Sequence, residues 1–435
     1  MSSVRSNSRT RRRRFFPPLP SPGSFKGNSG GDGKLQSGDE FGVAAHMTSY
    51  LAVSAVKIFS FTSAFFVLGL AACGGGSMKT PVTPPMMQNP DFAFVSNTSS
   101  NTISVIEIDP KTGQLSQTAG SPFAAGNAPE FLTVDASGKF LYVANNNSND
   151  VSVFKIDGTT GALVPVPGSP FPAGSQPKGV ALVSSANLNL LFVANESSND
   201  ISAFKIDPTT GVLTPIPGSP FLGVDSPIGV TANPAGTFLY VNSLNSNVVS
   251  GFQIDSETGS LKAVPGISFG TGQTPIGILF DPNGKFLYVG DHMQNTFSGY
   301  SVDAASGALT QASGPAVATT GCPGCHTGDT RPLRLVAHPN NNFVYVSNVA
   351  AGTLSTFRLN NGSLSQVSAD APTGQHPFGI AVDPRGSFLY VVNKVDNTIS
   401  GFSVNVITGM PSPLANSPFP AGGSGPVGIV IVPSH

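Results

Sequence analysis

A C-x-x-C-H sequence, formed by Cys322, Cys325 and His326, carries the most specific chemical spacing in this chain. Two thiols in this arrangement can bond the vinyl groups of a c-type haem while the histidine binds the iron, and His292 or Met293 is a candidate for the second iron ligand. A disulfide between the same thiols, closing a short loop in an oxidising compartment, is the alternative. Flanking Gly and Thr residues offer a porphyrin little apolar surface. The sequence therefore favours the disulfide and no cofactor, with haem second and a metal or free-thiol role third.

A sparse set of polar residues beside recurring prolines forms a second candidate site. Glu130 and Lys178 each directly follow a proline, and Arg334 stands two positions after one. His376 directly precedes a proline, and Asp225 stands two positions before one. A carboxylate such as Glu130 can act as a general base, and Arg334 can bind a carboxylate or phosphate, with the other three as ligand-binding neighbours. The alternative is that Glu130 and Lys178 form a solvated ion pair of little energetic value.

Seven near copies of one short strand are the elements that must position these residues. Each copy is aromatic and β-branched and ends in Asn, Ser or Asp, which predicts a largely buried β-strand. The copies are FAFVSN (92–97), FLYVAN (140–145), LLFVAN (190–195), FLYVNS (238–243), FLYVGD (286–291), FVYVSN (343–348) and FLYVVN (388–393). Their last residues are 48, 50, 48, 48, 57 and 45 positions apart, a period typical of a propeller blade. The long spacing contains an insertion at about 314–330, which includes the cysteine pair.

Each repeat follows a common order that predicts four antiparallel strands. A Pro-led strand such as 377–382 precedes the FLYV-like strand, and two further short strands follow it across Gly- and Pro-containing turns. The terminal Asn residues of the copies, such as Asn145, Asn195 and Asn393, are interpreted as turn caps bonded to their own backbone.

The two ends of the chain complete each other. The first copy lacks a preceding Pro-led strand, whereas the chain ends with an unpartnered one at 426–432. Pairing these strands closes a ring and hides two sheet edges. The sequence therefore predicts an all-β, seven-bladed β-propeller of four-stranded antiparallel blades over residues 91–435.

The recurring pattern P-x-G-[IV]-x-x-D-P-x-G-[KS]-F-L-Y-V-x-N and the closing GPVGIVIVPSH resemble the lactonase family of seven-bladed propellers, related to 6-phosphogluconolactonase and to YVTN-repeat surface proteins. The resemblance covers residues 91–435 and rests on repeat motifs, which are specific for fold and weak for activity. It implies a site at the mouth of the central channel, where lactonases carry His and Arg residues.

The residues expected at that mouth follow the proline of each innermost strand. The first position holds Glu130, Lys178, Ile228, Ile276, Leu333, Phe378 and Val427. The second position holds Phe131, Gly179, Gly229, Gly277, Arg334, Gly379 and Gly428. No histidine occupies either position, which argues against the lactonase chemistry that the resemblance implies.

The first 90 residues predict export. Residues 1–46 indicate a disordered basic tail that can lie upstream of a true start at Met47. Residues 47–72 have the short apolar core and small-residue end of a signal peptide. The sequence Leu-Ala-Ala-Cys ending at Cys73 resembles the lipobox of bacterial lipoproteins, which predicts a lipidated Cys73, and residues 73–90 form a flexible tether.

Composition limits the classes of partner. Only 10% of the 435 residues are charged and the net charge is -1, which argues against nucleic-acid binding. We expect a monomer, exported and anchored to a membrane through its lipid, facing the periplasm or the cell exterior. The leading function hypothesis is a binding scaffold for a glycan or protein. A hydrolase of a small lactone and a haem-bearing electron-transfer protein are the alternatives.

Overall fold

Seven antiparallel sheets make up the described part of the chain, which in this computed structural model comprises residues 90–185, 188–312, 317–319 and 330–433. Cys73, Cys322, Cys325 and His326 lie outside these ranges. Within them, no helical segment has the length and apolar character of a membrane span. The inner strands contact one another in a closed cycle, so the sheets are the blades of a propeller and the predicted fold is confirmed.

The strands are numbered in chain order, and each blade contributes an inner, a second, a third and a fourth strand. The inner strands of blades 1 to 7 are β34 (Pro426–Val432), β5 (Pro129–Val134), β10 (Pro177–Ser184), β15 (Pro227–Ala232), β19 (Pro275–Phe280), β24 (Pro332–Ala337) and β29 (Pro377–Val382). The second strands are β1 (Asp91–Asn97), β6 (Phe140–Asn145), β11 (Asn189–Asn195), β16 (Phe238–Ser243), β20 (Phe286–Asp291), β25 (Phe343–Asn348) and β30 (Phe388–Asn393).

In six blades the fourth strand, at the rim, is shorter than the third. The third strands are β2 (Thr102–Ile108), β7 (Asp150–Ile156), β12 (Asp200–Ile206), β17 (Val248–Ile254), β21 (Thr296–Val302), β26 (Thr353–Asn360) and β31 (Thr398–Val404). The fourth strands are β3 (Leu115–Gln117), β8 (Leu163–Pro165), β13 (Leu213–Pro215), β18 (Leu261–Gly270), β22 (Leu309–Gln311), β27 (Ser363–Gln366) and β32 (Pro411–Pro413).

Six blades carry a short fifth strand that the sequence did not predict. It follows the fourth strand in the sequence and pairs with the start of the third strand. These strands are β4 (Phe123–Ala124), β9 (Phe171–Pro172), β14 (Phe221–Leu222), β23 (Val317–Ala318), β28 (Ala371–Pro372) and β33 (Phe419–Pro420). In blade 4 the ten-residue β18 pairs along both ends of β17 and takes both places.

Blade 1 is built from both ends of the chain, as predicted. Strand β34 pairs antiparallel with β1, with Phe92 opposite Val432 and Val95 opposite Ile429. The hydrophobic residues of β1, including Phe94, are buried. The ring is therefore closed by backbone hydrogen bonds within a blade rather than by a contact between two finished blades.

Neighbouring blades are joined by a repeated contact between a glycine and an aromatic ring. Gly211, in the outer turn of blade 3, has a φ of +75°, and a Cβ placed on it would lie 2.5 Å from Cδ1 of Phe140 in blade 2. The tyrosine two residues further along several second strands adds a hydrogen bond, as where the Tyr240 hydroxyl donates to the Gly307 carbonyl at 2.6 Å. The phenylalanine and tyrosine of the repeated motif are thus docking residues as well as core residues.

The sequence predicted that the terminal asparagines of the second strands cap their own backbone, and this prediction is wrong. Asn145 is fully buried, and its Nδ2 donates to Asp150 Oδ1 at 2.7 Å and to Ser152 Oγ at 2.8 Å. Asn195 makes the equivalent bonds to Asp200 and Ser202. Because a buried amide needs partners, the third strand supplies them, and the asparagine holds the two strands together at the mouth end of the blade.

A buried ion-pair network reinforces the closing blade. Arg385, in the turn between β29 and β30, places Nη2 2.5 Å from Asp91 Oδ2 and Nε 3.2 Å from Asp383 Oδ2. Both carboxylates are almost fully buried, and burial raises the pKa of Asp383. Asp91 is the first residue of β1, so Arg385 ties blade 7 to the strand that closes the ring.

We expect Arg385→Met to lower the free energy of unfolding by roughly 1–3 kcal/mol, because it removes the cation from two buried carboxylates while the arginine itself is partly exposed. Urea denaturation followed by fluorescence or circular dichroism measures this change. The matched control is Arg358→Met on β26, which removes an exposed guanidinium and should change stability by no more than about 0.5 kcal/mol. Equal denaturation midpoints for the two variants would contradict the role of Arg385.

Candidate functional site

A cavity of about 660 Å³ occupies one end of the central channel, where the inner strands begin. Six of the seven residues that directly follow an inner-strand proline line it, as the sequence predicted. They are Glu130, Lys178, Ile228, Ile276, Leu333 and Phe378. Most of this ring is apolar, and its two charged members come from neighbouring blades. The structure therefore places the polar chemistry of the ring on one side, at blades 2 and 3.

A strained backbone position precedes the inner-strand proline in every blade. The residues at this position have φ values between +48° and +64°, and they are Ala128, Gln176, Ser226, Thr274, Arg331, His376 and Gly425. A left-handed conformation costs a non-glycine residue roughly 1 kcal/mol or more, so it persists only where neighbours enforce it. An asparagine of the preceding blade holds this conformation: Asn149 Oδ1 of blade 2, for example, accepts a 2.8 Å hydrogen bond from the backbone N–H of Gln176.

The same hydrogen bond, from the backbone N–H of the residue before the proline to an asparagine Oδ1, recurs six times around the ring. It helps to set the direction of the residue after each proline. Asn101, for example, accepts the N–H of Ala128 at 2.8 Å and thereby orients the chain that leads to Glu130. In blade 6 the position of this asparagine is taken by Gly352, which has no side chain. The backbone N–H of His376 therefore lacks the equivalent asparagine acceptor. The polar groups of the cavity are thus positioned by the preceding blade.

Glu130 and Lys178 form an ion pair at the edge of the cavity. Lys178 Nζ lies 2.9 Å from Glu130 Oε1 and 3.5 Å from Glu196 Oε2. The exposed fractions of these three side chains are 21%, 15% and 24%, so the group is shielded but still reached by solvent. The ion pair expected from the sequence exists, and it is less exposed than a solvated loop-edge pair.

A second ring of residues, which was not expected from the sequence, also reaches the cavity. These residues stand one position beyond the last residue of each second strand, and those that line the cavity include His292, Val349 and Lys394. Lys394 Nζ lies 4.7 Å from the centre of the Phe378 ring, a cation–π distance. The repeated motif could have identified this ring, because its residues directly follow the last residue of each copy.

His292 is held by the next blade. Its Nδ1 is 3.3 Å from the carbonyl oxygen of Pro332, so Nδ1 carries the proton in the tautomer that makes this hydrogen bond. Thr98 makes the equivalent bond to the Pro129 carbonyl at 2.9 Å. His376 lines the same cavity from its exposed, left-handed position. Histidines therefore reach the mouth from turns, although none stands on the inner strands.

The second position after each proline controls the width of the channel. In five blades it is glycine, and a Cβ at Gly179 would lie 2.3 Å from the Ile228 carbonyl oxygen of the next blade. The two exceptions are Phe131 and Arg334, on inner strands across the ring from each other. Their side chains meet, with the Arg334 guanidinium carbon 3.3 Å from the centre of the Phe131 ring.

Arg334 belongs to a deeper cavity of about 170 Å³ that also contacts Phe131. Burial lowers the pKa of Arg334 to about 10, while the charge of Glu130 acts in the opposite direction, so the guanidinium remains charged at neutral pH. The candidate residues Glu130 and Arg334 are thus close in space but line different cavities. Their proposed pairing as base and substrate-anion ligand at one site is not favoured by this placement.

The remaining sequence candidates are placed less centrally or lie outside the described residues. Asp225 is exposed and does not line the mouth cavity. Cys322, Cys325 and His326 are outside the described ranges, and their disulfide or haem stays a prediction. Met293 is 52% exposed, in keeping with a surface turn. No group of metal-binding side chains is found in the part of the chain that the structure describes.

These features define a class of protein: a closed seven-bladed propeller with a partly charged cavity at one channel mouth. The sequence matches the model of the family described as Lactonase, 7-bladed beta-propeller, over residues 86–177 and 229–427. This match covers more than half of the chain, and the chain belongs to that family. A search of curated proteins finds no match.

Solved structures of the same architecture support the fold. A proposed 6-phosphogluconolactonase of Bacteroides uniformis aligns with a TM-score of 0.68 at 21% identity, covering 79% of this chain and 100% of its own. A proposed 6-phosphogluconolactonase of Bacteroides fragilis aligns with a TM-score of 0.67 at 22% identity, covering 80% and 99%. A periplasmic gluconolactonase of Pseudomonas aeruginosa aligns with a TM-score of 0.68 at 19% identity, covering 80% and 100%.

Asp291 is an ionisable exception beside the site. It stands where five other second strands end in Asn, it is 1% exposed, and burial raises its pKa from 3.8 to about 6. Thr296 Oγ1 lies 3.3 Å and Ser298 Oγ 3.5 Å from its Oδ2. An asparagine amide can donate to such hydroxyls, whereas an ionised carboxylate can only accept from them.

We expect Asp291→Asn to stabilise the protein above about pH 6 and to have little effect near pH 4. The folded-state pKa of Asp291 is above its ordinary value, so its contribution to stability is fully present below the unfolded-state pKa and is lost as pH rises through about 6. The asparagine does not titrate and should gain roughly 1–3 kcal/mol at pH 8. Urea midpoints of both proteins across this pH range measure the difference. A gain that is the same at every pH would show that ionisation of Asp291 is not its cause.

Proposed function

We propose that this chain hydrolyses a sugar-derived lactone in the mouth cavity. The observation that carries the proposal is the Glu130–Lys178 pair, which places a carboxylate and an ammonium group 2.9 Å apart on a cavity of about 660 Å³. Membership of the lactonase family supports the class of reaction. The volume lies within the usual range for a small-molecule site.

The pair offers both groups that opening a lactone requires. The Glu130 carboxylate takes a proton from a water molecule, whose oxygen adds to the lactone carbonyl carbon. The Lys178 ammonium stabilises the negative charge that develops on the carbonyl oxygen. The ring C–O bond then breaks, the leaving oxygen receives the proton held by Glu130, and the product is an open-chain hydroxy acid.

The rest of the cavity suits a polar ligand with an acidic product. Lys394 adds a second cation to the lining, and His292 and His376 add hydrogen-bonding groups. Phe378 and the apolar ring residues form a wall against which the carbon face of a sugar can pack. The names of the structural neighbours, 6-phosphogluconolactonase and gluconolactonase, suggest that a phosphorylated or free gluconolactone is the substrate class to test first.

A binding scaffold for a glycan or protein is the second candidate. It is favoured by the contact of Lys178 with Glu196 as well as Glu130, since a carboxylate and an ammonium group engaged in such a network are less available to a water and an oxyanion. Under this alternative the cavity recognises its ligand without changing it.

The hydrolase proposal predicts that the full chain opens glucono-δ-lactone or its 6-phosphate faster than buffer. Glu130→Gln should lower kcat by at least about 100-fold because it removes the base, and Lys178→Met should lower it by about 100- to 1000-fold because it removes the oxyanion partner. Proton release, followed with a pH indicator and corrected for spontaneous hydrolysis, measures these rates.

Asp225→Asn is the matched control for this experiment, since it also removes one carboxylate near the same face but lies outside the cavity. Its rate should equal that of the unaltered protein. If neither lactone is opened above the buffer rate, but the product acid binds the unaltered chain and not Lys178→Met, the scaffold alternative replaces the hydrolase.

We also propose that the chain is exported and anchored through a lipid on Cys73. The support comes from the sequence, where an apolar signal segment, the Leu-Ala-Ala-Cys motif and a flexible tether follow one another. A mouth cavity facing the periplasm or cell exterior would then meet lactones outside the cytoplasm.

Cys73→Ser should release the exported protein from the membrane fraction into the soluble fraction, because the substitution removes the atom that is lipidated. Fractionation and immunoblotting of cells that express either form measure the change. The unaltered protein should also gain the mass of a lipid at its processed N-terminus. Equal membrane association of both forms would rule out the anchor.

A further inference from the structure

We propose that the central channel holds a small inorganic anion, such as chloride, against the buried edge of Arg334, at a site separate from the mouth cavity. The atoms that point to it are Nε and Nη2 of Arg334, which are buried and have no hydrogen-bond partner among the described residues. The deeper cavity of about 170 Å³ lies against this side chain.

Charge is the first reason to expect an anion there. Among the described residues that line the deeper cavity, Arg334 alone is charged, and the others are apolar or glycine. Glu130, the acid whose charge acts on Arg334, is already paired with Lys178 at 2.9 Å. A buried cation without a counter-charge is costly, so a mobile anion that supplies the charge stabilises the folded ring.

The geometry of the stack separates this site from the mouth. The flat face of the guanidinium lies on Phe131 at 3.3 Å, which leaves the N–H groups at its edge to serve as donors. Phe131 lines both cavities, whereas Arg334 lines the deeper one and not the mouth. The phenyl ring therefore borders both cavities, while the guanidinium belongs to the deeper one.

Size and backbone exposure select a small ion. The deeper cavity, at about 170 Å³, is much smaller than the mouth cavity, at about 660 Å³, which suits a small anion with its waters. Gly179, Gly379 and Gly428 are among its lining residues, so the backbone itself faces the ion. Two parallel N–H donors of one guanidinium can then bind the anion together.

Chloride is the probe for the solution test, which uses the full chain. Replacing sodium methanesulfonate by sodium chloride at constant ionic strength should raise the Tm by roughly 2–4 °C, because the ion binds only the folded state. Arg334→Met should abolish this increase. Arg358→Met is the matched control, because it removes an arginine that also lies over a phenyl ring, at 4.8 Å, but is exposed on β26, and it should keep the increase.

Crystals grown in sodium bromide provide the direct test and do not depend on a variant that folds. An anomalous bromide peak beside Nε and Nη2 of Arg334 is expected, and gluconate should not displace it. If no peak appears and the Tm of the unaltered protein is the same in both salts, the proposal is wrong. If gluconate displaces the bromide, the guanidinium serves the ligand of the mouth cavity, and the separate site is likewise ruled out.

Discussion

The close approach of neighbouring inner strands is the constraint on which the rest of the propeller depends. A Cβ at Gly379 would lie 2.5 Å from the Val427 carbonyl oxygen, and one at Gly428 would lie 2.6 Å from the Glu130 carbonyl oxygen. Glycine at this position lets seven strands gather around a narrow channel, since no side chain separates their backbones. Phe131 and Arg334, at the two positions that depart from glycine, place their side chains against each other in the channel, where Phe131 lines both cavities and Arg334 the deeper one.

Within each blade, the residues that hold the ring together are different from those that line the mouth cavity. The second strand is almost wholly buried, and its aromatic residues receive the glycine turn of the next blade, as Phe140 receives Gly211. The residue after the inner-strand proline lines the mouth in six blades, and there the repeats differ in charge and polarity. A fold built in this way tolerates change at the mouth because the ring is held together elsewhere, which is the usual relation between scaffold and loops.

The chain has few charges, and several of its described charged groups lie close together near the channel. The Glu130–Lys178–Glu196 group lies beside the mouth, while Arg334 is buried below it and senses Glu130. Burial, rather than neighbouring charge, is the main cause of the altered pKa values of both Arg334 and Asp291. Arg334 and Asp291 therefore lie in a poorly hydrated setting, where a charged group requires a partner, whereas the charged group at the mouth is still reached by solvent.

The sequence by itself determined the blade count, the strand order, the closure of β1 by β34 and the ring of residues after each proline, because these follow from a local pattern repeated along the chain. It also placed Glu130 and Lys178 together, since equivalent positions of adjacent repeats must be neighbours. Tertiary structure alone decided that His292 and Lys394 reach the cavity, that the terminal asparagines bond the third strand, and that Arg334 turns away from the mouth. These outcomes depend on side-chain directions and on contacts between blades, which a repeat pattern does not encode.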